Sequence, residues 1–186
     1  LFPGKTQYSN DPEPKDLKIH QLVNSVNPLN WIVAARKINT MKPDLVVFRY
    51  WLPFMGPALG SIARMLKKSI KTIAITDNVI PHEKRPGDKM LSKYFTGSCD
   101  GFITLSSSVR DELETFVRKP IIYFPHPIND NLGEKVDKES AREYLDLEKG
   151  AKYMLFFGII RKYKGLDLLL KAMATNLLDN FNIKLL

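Results

Sequence analysis

The sequence predicts an α/β chain, with a Rossmann-like parallel-sheet domain followed by the start of a second. Three observations predict it. Short apolar runs recur at residues 45–48, 71–76, 101–105 and 121–124. The intervals between them hold helical spacing or helix caps, which is the βαβ pattern. The run at 45–48 is continuously apolar, as in parallel strands covered on both faces.

Each element follows from local chemistry. Residues 1–18 are rich in Pro, Asp and Lys and lack periodicity, so they read as a loop, and 19–25 as a short strand. Pro28 suits the first position of a helix. Trp31, Ala34, Ala35 and Ile38 continue that helix to about Met41, where Pro43-Asp44 ends it. A strand at 45–48, a helix at 59–66 and a strand at 71–76 follow. After a polar loop at 77–87 come a helix at 89–95 and a strand at 101–105. Ser106 is an N-cap with acids in the first turns behind it, and its helix runs to about Val117. A strand at 121–124 closes the series.

The pattern then changes. Residues 125–133 combine Pro, Asn, Asp and Gly, which is loop chemistry. A charged helix at 138–147 and a turn at 148–150 lead to a fresh strand at Lys152. The predicted domains are therefore 1–129, a linker at 130–150, and the start of a second domain at 151–186. The chain opens at Leu1-Phe2-Pro3-Gly4 and closes at Asn182-Ile183-Lys184-Leu185-Leu186, and it reads as cut at both ends from something longer.

Composition narrows the function. The net charge is +8 with pI ≈ 9.5, which suits nucleic acid, anionic lipid or a phosphorylated small molecule. From Pro53 to Thr76 there are four basic residues and no acid, and the last 36 residues carry six basic and two acidic side chains. Cys99 is the single cysteine, so no internal disulfide forms, and a reducing cytosol fits. With only His20, His82 and His126 beside it, a structural zinc site is not expected. No apolar run approaches the roughly 20 residues of a membrane span.

Four places hold candidate chemistry. In Lys152-Tyr-Met-Leu-Phe-Phe-Gly158-Ile-Ile-Arg161-Lys162-Tyr-Lys164-Gly165-Leu, a strand leads through a basic turn into a helix. Gly158 permits close backbone approach, Arg161, Lys162 and Lys164 supply charge, and Gly165 opens the helix. Phosphates bind at such helix N-termini, at the carboxyl ends of strands. On spacing alone, a solvated basic loop is the commoner reading. The loop at 77–87 gathers Asp77, Asn78, His82, Glu83, Lys84 and Arg85, and reads equally as a binding loop or as a turn bonding its own backbone. His126, between Pro125 and Pro127, lines a cleft or stiffens a hinge, and the hinge is the plainer reading. The basic helix around 64–71 touches anionic lipid or is a solvated face, the latter being commoner. Trp51 is expected in the core.

Taken in order, these segments resemble the family-four retaining glycosyltransferases of the two-Rossmann GT-B fold. The likeness is strongest from Phe156 through Gly158, Arg161, Lys164 and Gly165. Asp77-Asn78-Val-Ile-Pro-His82-Glu83, Ser106-Ser-Ser-Val and Phe124-Pro-His126-Pro support it. The resemblance implies sugar transfer with retention from a UDP- or GDP-sugar to a saccharide or lipid-linked acceptor, in polysaccharide or glycoconjugate biosynthesis. It implies no tightly bound cofactor and no metal, because basic side chains neutralise the leaving diphosphate. Lys164 matches the family's diphosphate lysine. The family's arginine directly follows the loop glycine, where this chain has Ile159, and Arg161 stands two residues later. His82 matches a histidine over the transferred sugar, with Asn78, Glu83 and His126 on the acceptor side. A cytoplasmic location is expected, with peripheral contact to the inner face of an anionic membrane and no nucleic acid. The family's first glycine-rich loop and its Glu-x7-Glu region are not in this sequence, so the chain alone is expected to lack transferase activity.

Two other readings compete. A nucleotide-sugar epimerase of the same fold needs carboxylates for proton abstraction, and no convincing pair is visible. A basic nucleic-acid or membrane module needs exposed aromatics among the bases if it reads RNA. Phe48, Phe102, Phe124, Phe156 and Phe157 fall inside strand runs and are expected to be buried.

Overall fold

The structure, a computed structural model, describes residues 15–81, 83–128, 133–175 and 183–186. They divide into two compact units, 15–81 with 86–124 and 83–85 with 125–186.

The first unit runs α1 (Pro28–Met41), β1 (Leu45–Tyr50), a 3-10 turn (Pro53–Met55), α2 (Gly56–Met65), β2 (Lys71–Thr76), α3 (Asp88–Thr96), β3 (Gly101–Thr104), α4 (Ser107–Glu114) and β4 (Ile121–Tyr123). All four strands are parallel, in the order β1-β2-β3-β4. Asn27 caps α1 by accepting from the Leu29 and Asn30 amides, with Pro28 directly behind it. Asn39 ties the end of α1 to that of α2. Its amide donates to the Met65 carbonyl at 2.9 Å, and its oxygen accepts from the Lys67 N–H at 2.9 Å. Ser106 caps α4 through the Val109 N–H.

Residues 19–25, expected as a strand, form no ladder among the described residues. Their polar groups serve α1 instead: the Asn24 N–H donates to Asn30 Oδ1 at 2.6 Å, and Trp31 Nε1 donates to the Asn24 carbonyl at 2.7 Å.

The core centres on Phe95, fully buried in α3. Tyr50 stacks on it at 4.3 Å between centroids, and Phe48 meets it edge-on at 5.9 Å. Tyr50 donates its hydroxyl proton to Ser92 Oγ at 2.9 Å, and Ser92 donates to the Val79 carbonyl at 2.6 Å. Trp51, expected in the core, is 41% exposed, and the buried aromatic is its neighbour Tyr50. Phe48 and Phe102 are buried as expected, but Phe124 and Phe157 stand exposed.

The sheet is covered on one face. In register, Phe48, Ala74 and Phe102 are buried side by side, as are Tyr50, Thr76 and Thr104. On the opposite face Leu45, Val47 and Ile122 are exposed, while Ile73, Ile75 and Ile103 are half-buried. The continuously apolar run at 45–48 suggested cover on both faces. The strand order explains the difference: right-handed crossovers between strands laid in chain order put every connecting helix on the same side.

Removing the Phe95 ring by Phe95→Ala should cost about 3–5 kcal/mol, read as a lower midpoint in urea denaturation. Burial pushes the Tyr50 hydroxyl from 10.0 up to about 12, and the Cys99 thiol from 9.0 up to about 12. Both groups are held neutral by the fold. Their contribution to stability is complete below pH 9 and is lost as pH rises towards 12. Tyr50→Phe should flatten the alkaline limb of stability against pH, followed by circular dichroism. An unchanged limb would show that the tyrosine is not the group being titrated.

Candidate functional site

The second unit runs α5 (Lys138–Tyr144), β5 (Lys152–Met154), a 3-10 turn (Lys162–Lys164), α6 (Leu166–Met173) and β6 (Ile183–Leu185), with β5 and β6 parallel. Asp137 caps α5 through the Glu139 and Ser140 amides, and the Ser140 hydroxyl first, then these amides, hold its carboxyl below the usual range. Arg142 donates to the Glu148 carbonyl at 2.6 Å and the Ala151 carbonyl at 3.1 Å, and lies over the Tyr153 ring. Lys184 pairs with Glu148, which raises the lysine pKa. The entry to β5 is thus anchored. The ladder continues past its end, where the Phe156 N–H donates to the Leu186 carbonyl at 2.9 Å.

Beyond that anchored strand lies the basic turn. Gly158 has φ 123° and Gly165 has φ 73°, both in the region that favours glycine. A Cβ on Gly158 would lie 2.9 Å from Lys164 Nζ, so the ammonium occupies the space beside the glycine backbone. The Lys164 N–H donates to the Arg161 carbonyl at 3.0 Å, and the Gly165 N–H to the Lys162 carbonyl at 3.2 Å. The first bond closes one 3-10 turn, a geometry in which positions three apart stack above one another. Arg161 stands at the N-cap of that turn, with extended backbone (φ −137°, ψ 146°). Gly165 ends this turn and opens α6 with no side-chain cap, leaving the first helical amides without that partner.

The charges of Arg161, Lys162 and Lys164 have no hydrogen-bond or ion-pair partner among the described residues. A hollow of about 330 Å³ beside Arg161 and Lys162 is lined by these two with Ile160, Leu166, Asp167 and Leu170, and not by Lys164. Cations, an uncapped helix start and close backbone access are the chemistry that receives phosphate oxygens. Ile159, at the position of the resembled family's arginine, is 48% exposed.

The other candidates are placed as follows. Asn78 is half-buried in the first unit, and Glu83 is exposed. His82 lies outside the described residues. His126 is exposed, and its Nδ1 donates to the Pro127 carbonyl at 2.9 Å.

The loop after β2 holds features that the sequence reading missed. Arg49 Nε donates to Asp77 Oδ2 at 2.7 Å and Nη2 to Oδ1 at 2.8 Å, while the Asp77 N–H donates to the Tyr50 carbonyl at 2.9 Å. The signal was available in parity. Arg49 lies opposite Ile75, and Asp77, two residues on, falls diagonally opposite the arginine. Thr76 and Thr104, register partners at the strand ends, are fully buried with hydroxyls lacking a partner among the described residues.

Among the described residues no group of three or more His, Cys, Asp or Glu is placed to hold a metal ion. No described helix is long and apolar enough to cross a membrane. No protein-family model and no curated protein matches the chain.

Gly158→Ala should strain the turn by about 1–3 kcal/mol and push the Lys164 ammonium aside. Gly165→Ala meets only Leu168 Cδ1, at 3.8 Å. NMR should therefore show the Lys164 Hε resonances moving in the first variant and staying near their original positions in the second.

Proposed function

We propose that the chain is part of a retaining glycosyltransferase of the GT-B kind, and that the turn from Gly158 to Gly165 takes the diphosphate of a nucleotide-sugar donor. The observation that carries this reading is the Lys164 ammonium held against Gly158, beside unpaired Arg161 and Lys162, in the first βα turn of the second unit. A diphosphate departing from the sugar gains negative charge. Cations already in place stabilise that charge without reorganising. Arg forks onto two oxygens and Lys acts as a point charge.

On this reading Lys164 holds the leaving diphosphate. Arg161, at the N-cap of the 3-10 turn, serves in place of the family arginine missing at Ile159. Gly158 leaves room for the Lys164 ammonium, and Gly165 presents the start of α6. His82 holds a hydroxyl of the transferred sugar, with Asn78, Glu83 and His126 on the acceptor side. The donor is a UDP- or GDP-sugar, and the acceptor a saccharide or lipid-linked sugar. The chain then works in the cytoplasm, in polysaccharide or glycoconjugate synthesis, with the basic side chains in the role that a metal fills in other transferases.

Isothermal titration with UDP, GDP and UMP tests this reading. Diphosphates should bind more tightly than UMP. Lys164→Ala and Arg161→Ala should each weaken UDP binding about ten- to hundredfold, the worth of a charge-assisted hydrogen bond. Lys171→Ala, outside the turn, should bind as the unaltered chain does. UDP binding that survives both turn substitutions would sink the assignment.

A further inference from the structure

The ammonium of Lys119 is enclosed by backbone. It donates to the Thr96 carbonyl at 3.3 Å, to the Gly97 carbonyl at 2.9 Å and to the carbonyl of Cys99. Three acceptors take up all three of its donors. They stand where α3 ends, and the last carbonyls of a helix have no partner within it. The helix dipole adds negative charge at the same place, so a cation there is stabilised.

The lysine reaches this place from an anchored base. It precedes Pro120, whose carbonyl accepts from the Phe102 N–H at 2.9 Å, and β4 begins directly after. The turn it holds is fastened on the far side as well. The Asp100 carboxylate accepts from the Thr72 N–H at 2.8 Å and hydroxyl at 3.0 Å, and the Asp100 N–H donates to the Thr72 carbonyl at 2.7 Å.

Between these two fastenings Gly97 is exposed and Ser98 half-buried, while Cys99 is 1% exposed. The Gly97 N–H donates to the Lys93 carbonyl at 3.0 Å and the Ser98 N–H to the Phe95 carbonyl at 2.8 Å, so both bond back to α3. Among the described residues, the hydrogen bonds that tie Gly97 and Cys99 to any element other than α3 come from Lys119.

Cys99 is the chain's single cysteine. Its thiol packs in the core, with Sγ 4.0 Å from the Phe95 carbonyl. Burial pushes the thiol up from 9.0 to about 12. A buried neutral thiol is inert, so exposure decides its chemistry. The thiol therefore lies just beneath an exposed turn, and one side chain closes that turn.

We propose that Lys119 is a latch. Its ammonium keeps the turn from Thr96 to Asp100 closed over Cys99, and release of that side chain bares the thiol while the sheet stays folded. Local openings of this kind occur where few bonds hold an exposed segment. The bonds of Lys119 are charge-assisted, so a single side chain sets the opening equilibrium. The proposal does not depend on the donor-site reading, because none of its residues belongs to the turn at 158–165.

The thiol itself reports on the latch. Labelling of the full chain with N-ethylmaleimide at fixed pH, followed by mass spectrometry, measures how often Cys99 is reached. In the unaltered chain the rate should barely rise with urea below the unfolding transition, because a local opening exposes little surface. Lys119→Met removes the ammonium and keeps an apolar stem. It should raise the rate about ten- to hundredfold, as expected for lost charge-assisted hydrogen bonds. Lys119→Arg keeps the charge and should restore slow labelling. Arg118→Met, at the neighbouring exposed cation, should label as the unaltered chain does. Urea midpoints of each variant separate the latch from a general loss of stability. Equal labelling of Lys119→Met and the unaltered chain would overturn the proposal. So would a rise only in proportion to the stability that Lys119→Met loses, or a rate in the unaltered chain that climbs steeply from the first additions of urea. That last measurement decides if Lys119→Met does not fold.

Discussion

Parallel pairing is the constraint on which the first unit depends. A parallel neighbour cannot be reached by a tight turn, so the chain must cross back through a helix after each strand. The crossover has one hand, and strands laid in chain order therefore put their connecting helices on one face. The aromatic core follows on that face, with Phe48 and Tyr50 of β1 against Phe95 of α3. The half-exposed face follows too, with Val47 and Ile122 uncovered. So do the two poles: the loops that leave the strands gather at their carboxyl ends, and the residues that follow the helices gather at the other.

The loop after β2 shows how such a scaffold fixes irregular chain. Three neighbouring residues are each held by a different element. Arg49 of β1 holds the Asp77 carboxylate, Ser92 of α3 holds the Val79 carbonyl, and Glu112 of α4 accepts from the Ile80 N–H at 3.3 Å. Asn78 sits between two of these anchors. The Arg49 side chain is 50% exposed, so its ion pair adds little stability, roughly 0–1 kcal/mol for pairs of this kind. Its contribution is direction: a bidentate fork sets where the carboxylate lies and hence where the chain leaves the strand.

What could be read from the sequence was local. Apolar runs, the Ser106 cap and Pro28 behind Asn27 act within a few residues, and those elements lie close to their predicted places. What could not be read was relational. Whether Tyr50 or Trp51 faces the core depends on the register of β1 against β2 and on which side the helices fall. The segment at 19–25 has a strand's composition, yet its polar groups are taken by the α1 cap. Phe157 sits in an apolar run and is 87% exposed, because β5 ends at Met154. At the basic turn, the glycines and cations were legible as residue types. The path of the Lys164 side chain back over Gly158 was not, since spacing does not say where a long side chain folds.

Lack of an ion pair does not by itself set the turn apart, because exposed cations such as Lys67 and Lys68 also make none among the described residues. Arg49 has Asp77, Arg110 has Asp111 with Glu114 beyond it, and Lys184 has Glu148. Structural cations such as Arg142 and Lys119 are spent on backbone carbonyls. Arg161, Lys162 and Lys164 differ in how closely they are set and in the glycines on either side. Within four residues they repel one another, a 3-10 turn holds Lys162 to Lys164 with Arg161 at its N-cap, and two positive-φ glycines lie on either side of them. Asp167 is the one acid nearby in sequence, a turn into α6, and it makes no ion pair with them. Like charges held together in this way cost free energy while the turn is empty. An anion entering it would relieve the repulsion and meet the helix amides at once. Lys164 lies with its ammonium against Gly158, where a Cβ would come within 2.9 Å of it.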